Sequence, residues 1–430
     1  MTGTAVDPEI DTTVWRVAGA PLVGATAPGP LTGQTVAVKD LYAVAGFPVG
    51  AGVPAYQEEQ APAPRHAAVV ARLLSAGAQV AGIAHTDEFA YSLTGGNGGF
   101  GMPVNPAAPD RIPGGSTSGP AVAVARGEVG IGLGTDTAGS IRVPAAYQGL
   151  WGIRTTHGRV DTSGLLPLAQ SFDSVGWVAR DGATLAAVAD CVLDGDSAAS
   201  RGFVVDPAIC AYADPSIAAA VRALAVGLGA TPVEVAPADT WLAAFRTVQA
   251  FEAWANHGDW VAAHPGVLEP DVAERFAFAA TVTGAQAAAA RRVLDEAAET
   301  LRAALAGRAL VLPTTATPAP PRSAGRPVWE AVRARTLRLT CLASIAGLPA
   351  VTMPLHPVAT MPPGRGATMP PGPGATLPPR PGTETPPRPG AAPAGWCLLG
   401  APGADRSLIR LALSTAAVLA EGSPHSEDRP

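Results

Sequence analysis

The chain has 430 residues, of which 47% are apolar and 15% charged, and its formal net charge is −6. This length and composition allow a large buried core, so they predict one or two folded domains and argue against a disordered chain. The acidic balance gives no electrostatic footprint for nucleic acid or for an anionic membrane surface, and no long uninterrupted apolar run predicts a membrane-spanning helix. We therefore expect no nucleic acid and no membrane as partners.

The sequence predicts a short N-terminal lead over residues 1–30 and a single domain over residues 31–430. The lead carries Asp7, Glu9 and Asp11 where a secretory signal needs a basic start and an apolar run, so we expect a cytoplasmic protein. The four cysteines form no CxxC pair, and the seven histidines show no metal-binding spacing. We therefore expect no disulfide framework, no metal and no cofactor.

The first half of the chain predicts strands alternating with helices, which is typical of an α/β protein. The predicted elements are a strand at 35–39, a helix at 66–75, a strand at 79–84, a helix at 118–125, strands at 129–133, 149–154 and 175–178, and a helix at 183–193.

Alanine-rich helices dominate residues 216–307, and the pattern over 271–305 predicts two helices broken at Thr283 and Gly284. The remaining predicted elements are strands at 309–313 and 350–355 around a helix at 328–346, then a strand at 396–399 and a helix at 406–419.

The segment 359–390 consists of four imperfect eight-residue copies rich in proline. Proline at this density prevents both helix and ladder pairing, so we expect an insertion loop with polyproline II character. A Pro-binding partner is one reading of this segment, but simple repeat expansion is favoured because nothing beyond composition indicates a ligand motif. Residues 422–430 are expected to form a disordered tail.

Lys39 is the only lysine among 29 basic residues. It ends the first predicted strand, where α/β sheets place ligands and catalysts. A desolvated lysine can lose its proton and act as a base, whereas arginine stays protonated. The alternative is that Lys39 is a surface residue without a function, retained by chance.

Two turns rich in glycine and hydroxyl groups flank the predicted helix at 118–125 and the strand after it. One turn carries Ser116, and the other leads to Ser140. With Ser140 as nucleophile, an oxyanion would be stabilised by successive backbone N–H groups, those of Thr137, Ala138, Gly139 and Ser140. No histidine fits as base, so Lys39 acting through Ser116 is the predicted relay. A phosphate-binding turn is the alternative, although Walker A and Rossmann spacings are absent.

The stretches VAVKD, GGSTSG and GTDTAGSIRVPAA resemble the amidase signature family of serine hydrolases, and further similar stretches cover most of residues 31–419. The resemblance implies a central mixed β-sheet covered by helices on both faces, in three layers. It also implies hydrolysis of a carboxylic amide to acid plus ammonia or amine, with Ser140 forming the acyl-enzyme, Ser116 bridging from a cis peptide and Lys39 as base.

Four further residues are expected to support this site: Asp136, Arg142, Thr117 and Ser118. Asp136 and Arg142 flank the nucleophile, and a buried ion pair between them would hold the turn. Thr117 departs from the family pattern, which usually has a second serine there.

The resemblance leaves the substrate open. Indole-3-acetamide hydrolases look most similar, while allophanate hydrolases and the A subunit of the tRNA-dependent amidotransferase are alternatives. A non-catalytic scaffold using the Pro-rich loop is the alternative from another class. We expect a small-molecule amide as partner and leave a homodimer open. Pocket walls are expected from 89–105, from the loop after Pro313 and from 251–260, although aromatic residues there are typical of core packing too.

Overall fold

The computed structural model describes residues 10–235, 238–355 and 392–421. In these ranges the strands are β1 (Trp15–Val23), β2 (Thr35–Lys39), β3 (Gln79–Ala84), β4 (Ile131–Asp136), β5 (Trp151–Arg154), β6 (Ser174–Ala179), β7 (Phe203–Val205), β8 (Thr231–Pro232), β9 (Ala309–Pro313), β10 (Ala350–Pro354) and β11 (Gly395–Leu399).

The α-helices of the same ranges are α1 (Pro54–Glu58), α2 (Ala68–Ser75), α3 (Ser118–Ala125), α4 (Arg142–Gln148), α5 (Gly182–Val192), α6 (Pro207–Cys210), α7 (Pro215–Gly227), α8 (Ala238–Ala263), α9 (Pro270–Ala279), α10 (Gly284–Leu305), α11 (Arg326–Ile345) and α12 (Asp405–Glu421). Short 3₁₀ turns occupy Glu88–Ala90 and Arg322–Ala324.

The strands form one mixed sheet in the order β1-β3-β2-β4-β6-β5-β10-β11-β9-β7-β8. β2 runs parallel to both β3 and β4, and β7 runs parallel to both β8 and β9, whereas the other pairs are antiparallel. The predicted mixed sheet is therefore confirmed.

Both faces of the sheet are buried. Because successive side chains of a strand point to opposite sides, neighbouring residues of one strand enter different cores. In β9, Val311 belongs to a core under α2, α5, α7 and α12, whereas its neighbour Leu310 belongs to a second core under α8 to α11. A third, smaller core lies under α3 and α4. The predicted three-layer arrangement is thus confirmed.

The N-terminal boundary at residue 31 is wrong. β1 pairs antiparallel with β3 and buries Trp15, so these residues belong to the sheet. The sequence analysis missed this strand because Gly19 and Pro21 interrupt its apolar run, and both residues are unusual inside a strand.

The predicted helix break at Thr283 and Gly284 is confirmed. Thr283 caps α10, and its side chain and that of Gln286 form a reciprocal capping box. The long pattern therefore divides into α9 and α10.

Two predicted regions lie outside the described residues, namely the Pro-rich segment 359–390 and the tail 422–430, and residues 1–9 of the predicted lead lie outside them as well. In the described part, no helix is long and apolar enough to cross a bilayer.

Candidate active site

Lys39 ends β2 at the centre of the parallel part of the sheet, and its side chain is fully buried. Its Nζ lies 2.8 Å from Ser116 Oγ, 2.9 Å from Thr135 Oγ1 and 3.2 Å from Thr117 Oγ1. The amine is therefore held by three hydroxyl groups, of which the sequence analysis had named two.

The turn that carries Ser116 enters α3, and the peptide bond between Gly115 and Ser116 is cis. A Cβ at Gly115 would lie 2.4 Å from the carboxylate oxygens of Asp87, so this position requires glycine. Asp87 accepts hydrogen bonds from the Gly95 N–H at 3.0 Å and from Ser118 Oγ at 3.3 Å. Ser118 thus supports the turn from its far side.

The turn that carries Ser140 connects β4 to α4. The Thr117 N–H donates to the Ser140 carbonyl at 3.2 Å, which joins the two turns. No direct hydrogen bond links the hydroxyls of Ser116 and Ser140 among the side-chain bonds of the described residues. Such catalytic contacts are often long without substrate.

A buried carboxylate organises the Ser140 turn. Asp136 forms a two-point ion pair with Arg142, at 2.8 and 2.9 Å, and Arg154 Nη1 lies 3.4 Å from the same carboxylate. Burial alone would raise the pKa of Asp136, but the ion pairs with these arginines hold it well below its ordinary value. The predicted buried pair of Asp136 and Arg142 is confirmed.

The Asp136 carboxylate also reduces the number of backbone N–H groups that could stabilise an oxyanion. The Gly139 N–H donates to Asp136 Oδ1 at 2.8 Å, so it is not available to an oxyanion. The N–H groups of Thr137, Ala138 and Ser140 have no acceptor among the described residues. The predicted set of four donors is therefore reduced to three.

Desolvation dominates the ionisation of Lys39. Burial lowers its pKa to about 7, although the negative charges of Asp87, Asp173 and Asp136 oppose the shift. Burial also raises the pKa values of Asp87 and Asp173 to about 6 each. Near neutral pH the site thus combines a partly neutral amine with ionised carboxylates.

The sequence analysis did not name Thr135, Asp87 or Asp173 as site residues. Asp173 accepts from Thr137 Oγ1 at 2.6 Å, because it directly precedes β6 and Ser174 pairs with Asp136 in the ladder. Asp87 follows β3, the parallel neighbour of β2. A search for carboxylates at the ends of neighbouring strands could have found both.

The aromatic residues expected in the pocket walls pack on one another. Phe89 makes edge contacts with Tyr56 at 5.2 Å, Trp260 at 5.5 Å and Phe276 at 5.8 Å between ring centroids. Phe89 is fully buried, so this cluster is core packing at the described positions.

With this geometry established, comparisons with known proteins decide the family. The family model described as Amidase matches residues 18–291. The chain belongs to the amidase family. Among its relatives, "Amidase 1" of Arabidopsis thaliana is 34% identical over 380 residues, which cover 79% of this chain and 89% of the relative.

Two further similarities extend over most of this amidase. "2-Amino-5-chloromuconic acid deaminase" of Comamonas testosteroni is 32% identical over 422 residues, which cover 92% of this chain and 83% of the relative. A crystal structure described as an amidase superposes with a TM-score of 0.75 at 28% identity, covering 91% of this chain and 86% of the other. The protein is thus a hydrolase of carboxylic amides.

In the described part of the amidase, no group of three or more His, Cys, Asp or Glu side chains could hold a metal ion. All four cysteines are free, and Cys210, Cys341 and Cys397 are buried.

Proposed function

We propose that this amidase works through an acyl-enzyme on Ser140, with Lys39 as general base and Ser116 as proton relay. The observation that carries the proposal is the 2.8 Å contact between the buried Lys39 amine and the Ser116 hydroxyl, next to the Ser140 turn. A hydroxyl near its ordinary pKa is a weak nucleophile and needs such a base.

The hydrogen bonds around Lys39 fit a neutral amine. Thr117 Oγ1 also lies 3.3 Å from the Thr135 carbonyl, to which its proton can be donated. Lys39 can then donate to the two threonine hydroxyls and accept the Ser116 proton with its lone pair.

In acylation, Ser140 Oγ attacks the amide carbonyl carbon while its proton passes to Ser116 and the Ser116 proton passes to Lys39. The N–H groups of Thr137, Ala138 and Ser140 stabilise the oxyanion. The C–N bond then breaks, and the proton returns from Lys39 through Ser116 to the leaving nitrogen. Water attacks the ester by the same relay and releases the acid.

The experiment that tests this proposal is intact mass spectrometry after treatment with a serine-directed sulfonyl fluoride, followed by peptide mapping. We expect one adduct on Ser140, which is absent in folded Lys39→Arg. Ammonia release is then measured on primary amides, beginning with aryl acetamides and including free glutamine, the donor of an amidotransferase subunit.

Two variants separate the serine roles. Ser140→Ala should lose all turnover, whereas Ser116→Ala should retain a small fraction because water can replace a relay hydroxyl. An adduct on another residue, or the reverse order of severity, contradicts the assignment.

We also propose a cytoplasmic location, because all four cysteines are free in the structure, as is usual for proteins of a reducing compartment. Fractionation of the producing cells tests this, and recovery with the membranes or in the medium contradicts it.

A further inference from the structure

A cavity of about 270 Å³ lies among α8, α9 and α11, with Tyr91 on its wall. Four arginines line it against three acidic residues, so its charge balance is positive. The arginines are Arg246, Arg275, Arg326 and Arg333.

Two of these arginines are already neutralised. Arg275 binds Asp271 at 2.7 Å and also contacts Glu330. Arg326 contacts Glu274. The acids of the cavity are thus engaged by two of its four cations.

Arg333 has the weakest compensation for its burial. Its side chain is only 10% exposed, its nearest acid is Glu330 at 3.7 Å, and its Nε has no partner in the described part of the chain. Burial lowers its pKa to about 9, with the charge of Arg275 adding to the effect. A buried guanidinium with free donors is costly unless an anion completes it.

Arg246 and Gln249 supply further donors from α8. They lie three residues apart, so they share a face of the helix, and both line the cavity. Neither side chain has a hydrogen bond or an ion pair to a described residue. A planar guanidinium and an amide of this kind match the two oxygens of a carboxylate.

Helix α11 contributes residues both to the cavity and to the contacts of the Ser140 turn. Arg333 precedes Thr340 by seven residues, which corresponds to roughly 10 Å along a helix. Thr340 Oγ1 donates to the Ala138 carbonyl at 2.6 Å. Arg333 also lines a narrow gap with Val143, which follows Ser140 by three residues.

We propose that Arg333, Arg246 and Gln249 bind a carboxylate at the end of the substrate remote from the scissile amide. The preferred substrates are then amides that carry an anionic group on an extended acyl chain. This inference rests on the proposed function, because it takes Ser140 as the position of the scissile bond.

The test measures binding to Ser140→Ala by isothermal titration calorimetry. The probes are monoamides of linear dicarboxylic acids, from succinamic to sebacamic acid, each paired with its neutral diamide. For the chain length that fits, we expect the monoamide to bind about tenfold to a hundredfold more tightly, as charge-assisted hydrogen bonds allow.

Adding Arg333→Gln or Arg246→Gln should remove the preference for the anionic probe, because the monoamide loses a charge-assisted hydrogen bond whereas the diamide loses only a neutral one. The matched control is Arg335→Gln, on the same helix, whose side chain pairs with Asp214 at 2.9 Å instead. Arg246 is exposed, so its variant remains informative if Arg333→Gln does not fold.

Equal binding of monoamide and diamide at every length overturns the inference, as does a preference that survives both substitutions. The failure of the proposed function has a different signature, in which the unsubstituted enzyme hydrolyses none of the amides and Ser140 forms no adduct. Hydrolysis of neutral amides without any preference for anions overturns the carboxylate site alone.

Discussion

The Lys39 side chain is fully buried and contacts three hydroxyl groups, and it forms no salt bridge with a carboxylate of the described residues. A protonated amine would lose its hydration without gaining a direct ion pair, which is why burial lowers its pKa. Arginine cannot adopt the neutral form at any working pH. The proposed chemistry of the site therefore depends on lysine and not on positive charge.

The pKa of Lys39 gives the first prediction. Its amine becomes neutral as the pH rises through about 7, so kcat/KM of the amidase should rise through that pH and then level off. Lys39→Arg should lower kcat/KM by about a thousandfold or more, in line with the loss of a general base. Steady-state ammonia release between pH 5 and 9 measures both effects.

The control for this prediction is Lys39→Met, which has a similar length and no charge, with circular dichroism and thermal melting on both variants. Equal losses in two folded variants agree with a base. A Lys39→Arg enzyme that keeps comparable activity, or a profile that falls above pH 7, contradicts the relay.

At the scale of single elements, the turn between β4 and α4 is held by one carboxylate. Asp136 ends β4, pairs with Arg142 in the first turn of α4 and reaches Arg154 at the end of β5. It also accepts the Gly139 N–H. Three elements and the backbone around Ser140 thus converge on the two oxygen atoms of Asp136.

The second prediction is that Asp136→Asn destabilises the fold. Two buried guanidinium groups would lose their counter-ion, so we expect the free energy of unfolding to fall by about 3–5 kcal/mol. Because the pKa of Asp136 is lowered in the folded state, its stabilisation is present above the ordinary aspartate pKa and is lost as the pH falls. Urea unfolding at pH 7 and at lower pH measures the effect.

The matched control is Asp214→Asn, which breaks the partly exposed pair with Arg335 and should cost less than about 1 kcal/mol. Similar costs for the two substitutions would mean that the buried pair does not hold the turn.

At the scale of the whole molecule, the sheet brings distant parts of the chain into one layer. Its centre joins β6 and β5 to β10, and β10 pairs with β11 so that Pro354 lies opposite Gly395. The Leu355 N–H also donates to the Ala394 carbonyl at 2.8 Å. The residues that flank the Pro-rich segment on its two sides are therefore held next to each other by strand pairing.

The third prediction concerns this segment. Replacing residues 359–390 by a short Gly/Ser linker should leave kcat/KM unchanged and shift the free energy of unfolding by about 1 kcal/mol, toward stability, since closure entropy changes slowly with loop length. Thermal melting and ammonia release measure the two quantities.

An equal-length Gly/Ser replacement is the control, because it keeps the loop length and changes only the composition. Loss of activity in both variants would show that the Pro-rich residues take part in the site or in its stability.

Several features of the site were predictable because they depend on local chemistry. The only lysine at a strand end and two hydroxyl-rich turns identified Lys39, Ser116 and Ser140, and the structure brings Lys39 and Ser116 into contact. Their catalytic roles stay predictions. The alternation of strands and helices likewise predicted the α/β class.

The edge strand β1 and the supporting carboxylates were not predictable from local pattern. Gly19 and Pro21 lie inside β1 and interrupt its apolar run, which argues against a strand at the level of sequence. Asp87 and Asp173 look like ordinary acidic residues until strand pairing places them beside Lys39.

The sequence by itself thus determined the family and the class of fold, and it identified the candidate reactive side chains, because residue type and short spacing set intrinsic chemistry. Only the tertiary structure decided which backbone N–H groups are free at the Ser140 turn and which arginines of the α8, α9 and α11 cavity have no close counter-ion. Burial and charge pairing depend on contacts between residues far apart in the chain, such as Arg246 and Arg333.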